Sequence, residues 1–283
     1  MQKRPYGNTD HTLSILGFGG ILVKDTDPSE AKLLVSQAID HGINYFDVAP
    51  GYGNAEEKLG PALEPYRKDV FLACKTGQRD AITAREELER SLKRLRTDYF
   101  DLYQFHAMTT QEDFEQVTAP GGALETLVKA REEGLVRHLG FSAHSVEVTL
   151  ALLDHFDFDS ILFPVNWAQF LAFDFGPQVI AKAQEKGVAI LALKGLANGK
   201  VAAGEERPYA KCWYEPIEDP VLADLALRYT LSQPITAALP PGAQEFFAMA
   251  IKIAERFTPI SEEEIKVLEE KVPSFIPMFR LET

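Results

Sequence analysis

The sequence predicts an α/β fold, a (β/α)8 TIM-type barrel with a long loop after the seventh strand and an appended C-terminal helix. Three observations carry this expectation. Strand-like and helix-like runs alternate eight times over the 283 residues, with no Ser/Gly-rich linker between the halves, and strand–helix units at that spacing form parallel sheets with right-handed crossovers. An open doubly wound sheet wants GxGxxG after its first strand, and LGFGGIL from Leu16 does not match it. Three consecutive strands end in polar or ionisable residues, which belong at the rim where barrel enzymes work. The whole chain, 1–283, is expected to be one domain of this kind.

In chain order, residues 13–20 read as a short buried strand ending in glycines, where backbone approaches a ligand closely. A helix starts at Thr26 or Asp27 with Pro28 near its first position, and its apolar face runs Ala31, Leu34, Val35, Ala38 and Ile39 to a stop at His41-Gly42. Residues 44–60, NYFDVAPGYGNAEEKLG, organise the rest. The β-formers Ile43, Tyr45 and Phe46 end in Asp47, an Ala-Pro-Gly turn leads to Tyr52, and a helix over 54–66 takes Asn54 as N-cap with Glu56 and Glu57 complementing its dipole. A strand at 70–75, a helix at 83–94 capped by Thr83, a strand at 99–106 and a helix at 124–133 follow. In the second half, strands at 136–142, 160–165, 188–193 and 234–238 alternate with helices at 146–153, 177–186, 220–232 and 244–256. The long loop spans 195–217, and the appended helix, 261–271, opens with an N-cap serine and three acids.

Composition narrows the function classes. A net charge of −13 leaves no basic face for nucleic acid or an anionic membrane. The two cysteines, Cys74 and Cys212, form no CxxC pattern, which argues against a disulfide framework, a thiolate zinc site and an iron–sulfur cluster. The N-terminus has no apolar leader pattern, and no apolar run approaches the ~18 residues of a membrane span. A cytoplasmic protein is expected.

The chemistry rests on Asp47, Tyr52, Lys75 and His106. Taken singly, each has a plain reading: a turn aspartate, a packed tyrosine, a surface lysine, a structural histidine. Together they resist it, because Lys75 would be a partly buried cation whose natural partner is Asp47. Such a set supports proton donation to a carbonyl oxygen. A free phenol with a pKa of about 10 is a poor acid at neutral pH, but an ammonium beside it stabilises the phenolate and pulls that value down. The carboxylate holds the ammonium, and an imidazole N–H orients the substrate oxygen. No nucleophile is present and no metal-ligand spacing appears, so the electrons must arrive as hydride from a cofactor.

With LGFGG at the first strand, DxAxxYG at the second and LGFS at the fifth, this set resembles the aldo-keto reductase family along essentially the whole chain. The resemblance implies a barrel that binds a nicotinamide dinucleotide without a Rossmann motif and reduces aldehydes or ketones to alcohols. Tyr52 would be the general acid, tuned by Lys75 and Asp47, with His106 orienting the carbonyl. The implied cofactor is NADP (NADPH), with NAD not excluded. Its implied contacts are Gly19, Gly20, Asp47, Ser142, His144, Asn166, Lys194, Gly195, Leu196, Pro241, Gly242, Ala243 and Gln244. The pattern departs from the family in three places. Ala143 stands where an asparagine usually follows the serine, Leu162 where strand six carries a glutamine, and Leu193 where an aromatic stacks on nicotinamide. Ser142, His144, Asn166 and Lys194 are therefore candidates for a rebuilt nicotinamide site, the alternative for His144 being a cap on the following helix. Ile21, Trp167, Trp213 and Tyr214 are candidates for the substrate pocket, with packing as the alternative for the aromatics.

Family members that prefer NADPH usually carry Lys or Arg after strand eight. Here residues 239–247, LPPGAQEFF, offer no cation before Lys252 and an acid at Glu245, so weak NADPH/NADH discrimination is expected. The partner expected is a small-molecule carbonyl substrate, with no nucleic acid or membrane. A second reading is a cofactor-sensing, non-catalytic binding subunit on the same barrel, like the potassium-channel β subunits; a third is an isomerase using Asp47 or His106 as base.

Overall fold

The computed structural model describes residues 1–202, 204, 206, 207 and 209–281. It divides into two compact units, Phe18–Leu162 and Met1–Gly17 with Phe163–Thr283. The second unit opens with a hairpin, β1 (Lys3–Pro5) antiparallel to β2 (Thr12–Ser14). The expected single strand over 13–20 is thus broken. The Ser14 hydroxyl donates to the Leu16 carbonyl at 2.7 Å and turns the chain, after which Leu16 pairs in parallel with Ala238.

The unit Phe18–Leu162 holds β3 (Phe18–Gly19), a 3-10 turn (Gly20–Val23), α1 (Pro28–Asp40), β4 (Tyr45–Asp47), α2 (Ala55–Leu63), a 3-10 turn (Glu64–Asp69), β5 (Phe71–Thr76), α3 (Ala81–Leu95), β6 (Phe100–Met108), α4 (Gln111–Thr118), α5 (Ala123–Glu132), β7 (Val136–Ala143), α6 (Val146–His155) and the start of β8 (Ser160–Pro164). Its strands are parallel in sequence order, with Gly19 opposite Asp47, Lys75 opposite Gln104 and Ser142 opposite Leu162. They read as apolar runs because both faces are covered, and every residue of β5 is buried.

The helix starts differ from the expected ones. Asp80, not Thr83, caps α3, accepting from Thr83 N at 2.9 Å. Asn54 gives α2 no side-chain cap and instead accepts from Asp25 N at 2.8 Å. The helix expected over 54–66 stops at Leu63, where Pro65 converts the next turn to 3-10. The short α4, unforeseen, is set by a Thr110/Asp113 capping box. Gly60 lets α2 close on α3, since a Cβ there would collide with the Arg94 carbonyl and lie 2.8 Å from Leu95 Cα.

The remaining residues form α7 (Trp167–Ala172), α8 (Pro177–Lys186), β9 (Ala189–Leu193), β10 (Ala197–Lys200), β11 (Tyr214–Pro216), α9 (Pro220–Ser232), β12 (Ala237–Leu239), α10 (Gln244–Glu255) and α11 (Glu262–Lys271). The stretch expected as a long loop, 195–217, carries the antiparallel pair β10–β11; its residues 203, 205 and 208 lie outside those described. The appended helix is α11, whose Ser261 and Glu264 form a capping box. Strand β12 is parallel to β9, with Ala237 opposite Leu191. The eight-stranded sheet runs β12-β9-β8-β7-β6-β5-β4-β3, and with its helices it is a (β/α)8 barrel. Among the described residues, no helix is long and apolar enough to cross a membrane.

Candidate active site

Asp47, Lys75 and His106 sit at or within two residues of the C-terminal ends of β4, β5 and β6, and Tyr52 lies in the loop after β4. A turn closed by Tyr52 N donating to Ala49 O at 3.0 Å swings the phenol back over those ends. Its ring meets His106 edge to face, with centroids 5.6 Å apart and planes at 85°, and Lys75 Nζ lies 5.5 Å from the Tyr52 ring centre. The Lys75 ammonium is fully buried and pairs with Asp47 Oδ1, with a second bond to Val48 O at 3.3 Å. All four expected catalytic residues therefore meet.

Two further residues belong to the set. Gln104 Nε2 and the Tyr45 hydroxyl both donate to Asp47 Oδ2, at 3.1 and 3.2 Å. The signal for Gln104 was in the sequence: it is polar, lies in an apolar strand, and is two residues from His106, hence on the same face. Asp47 thus keeps all its partners inside the unit, which fixes where Lys75 points.

The electrostatics correct one expectation. Burial pushes the Tyr52 phenol up from its ordinary value and outweighs the opposing pull of Lys75, so the phenol is not drawn down towards neutrality. Burial by itself would lower Lys75, but Asp47 and Tyr52 override it and raise the ammonium. Burial lowers His106 to about 3, helped by the charges of Lys75, His144 and Arg79, so its ring is neutral at working pH.

Within the same unit, Gly19 borders open space, with nothing within 4 Å of where a Cβ would stand, whereas Gly20 is packed on Val48. Ile21 lies in the turn after them, part-exposed. Ser142 is the penultimate residue of β7, its hydroxyl accepting from Ala107 N at 2.8 Å, and His144 N donates to Met108 O at 3.1 Å. Ser145, not His144, caps α6.

The other unit groups Asn166, Lys194, Gly195, Leu196, Trp213 and Tyr214. Asn166 is not available to a ligand: Nδ2 donates to Lys194 O and Ala197 O at 3.0 and 2.9 Å, and Oδ1 accepts from Ala168 N and Gln169 N at 3.0 and 3.2 Å. It positions the Lys194 backbone, which has a φ of 68°. Lys194 Nζ sits 4.5 Å from the Trp213 ring centre and 4.2 Å from that of Tyr214, and burial lowers it to about 7. Gly195 is packed against Thr230, and Leu196 is buried. Trp167 is 1% exposed and stacks edgewise on Phe275, a core residue rather than a pocket wall, whereas Trp213 is 39% exposed. Residues 241–243 lead into α10, whose N-cap Ala243 supplies no side-chain acceptor ahead of Gln244. A helix start whose N-cap supplies no side-chain acceptor is a place where backbone N–H groups can meet an anion.

Comparison with known proteins gives the family. The Aldo/keto reductase family profile matches residues 15–272. The Bacillus subtilis oxidoreductase YqkF is 28% identical, over 95% of this chain and 96% of its own. The aldo-keto reductase YhdN of the same organism is 36% identical over 48% of this chain and 43% of its own. Among solved structures, the holo form of aldo-keto reductase AKR11C1 from Bacillus halodurans superposes with a TM-score of 0.75 at 25% identity, covering 98% of each chain. The chain belongs to the aldo/keto reductase family of oxidoreductases, whose members carry out NAD(P)H-dependent oxidoreduction of small-molecule carbonyl compounds.

Proposed function

We propose that this protein reduces an aldehyde or ketone to the alcohol, with Tyr52 as general acid. The observation that carries the reading is the Tyr52 phenol held against His106 and beside the buried Lys75–Asp47 pair. Bound NAD(P)H supplies the hydride. His106, neutral, offers an N–H to the carbonyl oxygen without adding charge of its own. Tyr52 stays protonated in the resting protein and releases its proton only as that oxygen becomes anionic. Lys75, kept charged by Asp47, then stabilises the phenolate left behind.

Gly19, Gly20, Asp47, Ser142 and His144 are proposed contacts for the nicotinamide half. Lys194, Gly195, Leu196 and 241–244 are proposed for the phosphates, with Asn166 acting through the Lys194 backbone. Ile21, Trp213 and Tyr214 remain proposed substrate contacts. NADP is the proposed cofactor, with NAD also accepted, and the two buried, unbridged cysteines suit a cytoplasmic location. Turnover of a broad aldehyde panel with NADPH and NADH tests the reading. Tight NADPH binding with no turnover of any carbonyl would replace it with the cofactor-sensing one.

A further inference from the structure

Near the end of β6, Phe105 pairs with Phe141 and Met108 with Ala143, so His106 and Ala107 together stand against Ser142. This is a β-bulge, a feature that re-aims a side chain. Ala107 has a φ of 55°, a left-handed conformation that a residue with a Cβ holds only when its surroundings impose it.

The imposing groups are identifiable. The Ser142 hydroxyl accepts from Ala107 N at 2.8 Å. Arg79 Nη2 donates to His106 O at 2.9 Å and Ala107 O at 3.4 Å. Arg79 Nε donates to Asp113 Oδ1 at 2.8 Å. The other Asp113 oxygen accepts from Thr109 N and Thr110 N, each at 3.0 Å. The Arg79 and Asp113 side chains are only 18% and 19% exposed, so this is a shielded pair rather than a solvated one. Capping α4 needs only Thr110 and Asp113; it gives no reason for a guanidinium on the His106 and Ala107 carbonyls. Neither Arg79 nor Asp113 has a hydrogen bond to the Tyr52, Lys75 or Asp47 side chains.

We propose that Arg79 and Asp113 form a latch that holds the bulge at Ala107 and so aims the His106 imidazole, making them positioning residues for the carbonyl reduction proposed above, on which this inference rests. Ser142 closes the latch from the β7 side.

The test compares Arg79→Met, Asp113→Asn and the double variant Arg79→Met/Ala107→Gly. Misplacing a catalytic group by about 1 Å costs up to ~10²-fold; each single variant is expected to lower kcat by about tenfold or more, with NADPH affinity near wild type and a lower thermal midpoint from the broken pair, the protein still folded at assay temperature. Glycine holds a positive φ without strain, so the double variant is expected to recover much of the lost kcat. The His106 imidazole resonances of the substrate-free protein give a readout independent of turnover: Arg79→Met shifts them, and adding Ala107→Gly brings them back. Unshifted resonances overturn the latch, as does failure of the glycine variant to restore either readout. Loss of kcat only in step with NADPH affinity or folded fraction makes Arg79 merely structural and also overturns it. If the wild type reduces no carbonyl, the reductase reading falls and the resonances still decide the latch.

Discussion

At Tyr52, burial wins over the neighbouring ammonium, and the consequence is chemical. The phenol is a proton donor throughout the neutral range, and its acidity is called on only when charge develops on the substrate. Tyr52→Phe is expected to lower kcat for reduction by roughly 10²-fold or more, the usual worth of a positioned general acid, with NADPH titration by fluorescence unchanged. Near-wild-type turnover in that variant would remove Tyr52 from the mechanism. Lys75→Met takes away the one charge that lowers the phenol and leaves the buried Asp47 unpaired. The basic limb of the rate profile should therefore move to higher pH. Stability should fall by about 3–5 kcal/mol, as for other broken buried pairs, read from urea unfolding. An unmoved limb would make Lys75 purely structural.

At the scale of elements, α10 and the end of β9 bear on cofactor choice. The first turn of α10 contains Glu245 and no cation, so the groups proposed to hold a 2′-phosphate are the helix start and Lys194. A lost charge-assisted hydrogen bond costs about 1.5–3 kcal/mol, so the NADPH/NADH ratio of kcat/KM is expected to stay below roughly 10². A ratio of several thousand would point to a strong cation contact. Lys194 adds a pH signature, because its ammonium is lost as pH rises through about 7. A bound phosphate favours the charged form, so NADPH affinity should weaken above neutrality, and Lys194→Met should flatten that dependence in a Kd series from pH 6 to 9. Between α2 and α3, Gly60→Ala forces backbone apart. Overpacking of this kind costs about 1–3 kcal/mol, measurable as a lower urea midpoint with the catalytic set untouched.

For the whole molecule, His106, Asp113 and Glu264 all hold their protons less tightly than in the unfolded chain. His106 falls from 6.5 to about 3 because burial disfavours its charge. Asp113 and Glu264 are held at about 2, their arginine and backbone partners outweighing burial. The folded state therefore binds fewer protons than the unfolded one over this range, and stability must fall as pH falls. The histidine contribution begins near its unfolded value of 6.5, and the carboxylates add theirs below about 4.5, the unfolded value for Glu264. Urea midpoints are expected to decline steadily from pH 7 to 4, and His106→Asn should remove the part of the decline above pH 5. An unchanged midpoint between pH 7 and 5 in the wild type would contradict the buried, neutral His106.

Sequence by itself determined the alternation of strands and helices, because apolar period and breaker residues are local properties. It also singled out the four residues proposed as catalytic, which the fold brings together, because an acid, a phenol, an ammonium and an imidazole at neighbouring strand ends have few other uses. The appended helix was equally legible, since Ser261 and the acids after it form a local cap. Tertiary structure decided the rest. The break after Ser14 depends on a hydroxyl finding a carbonyl, and the cap of α3 on Asp80 accepting from Thr83 N. Asn166 matched a family position, yet its four hydrogen bonds are spent on the chain. Trp167 read equally as lining or core, and burial made it core. Tyr52 is raised where its neighbouring cation alone would lower it, because desolvation depends on how much chain surrounds a group, a quantity that residue types at a given spacing do not contain.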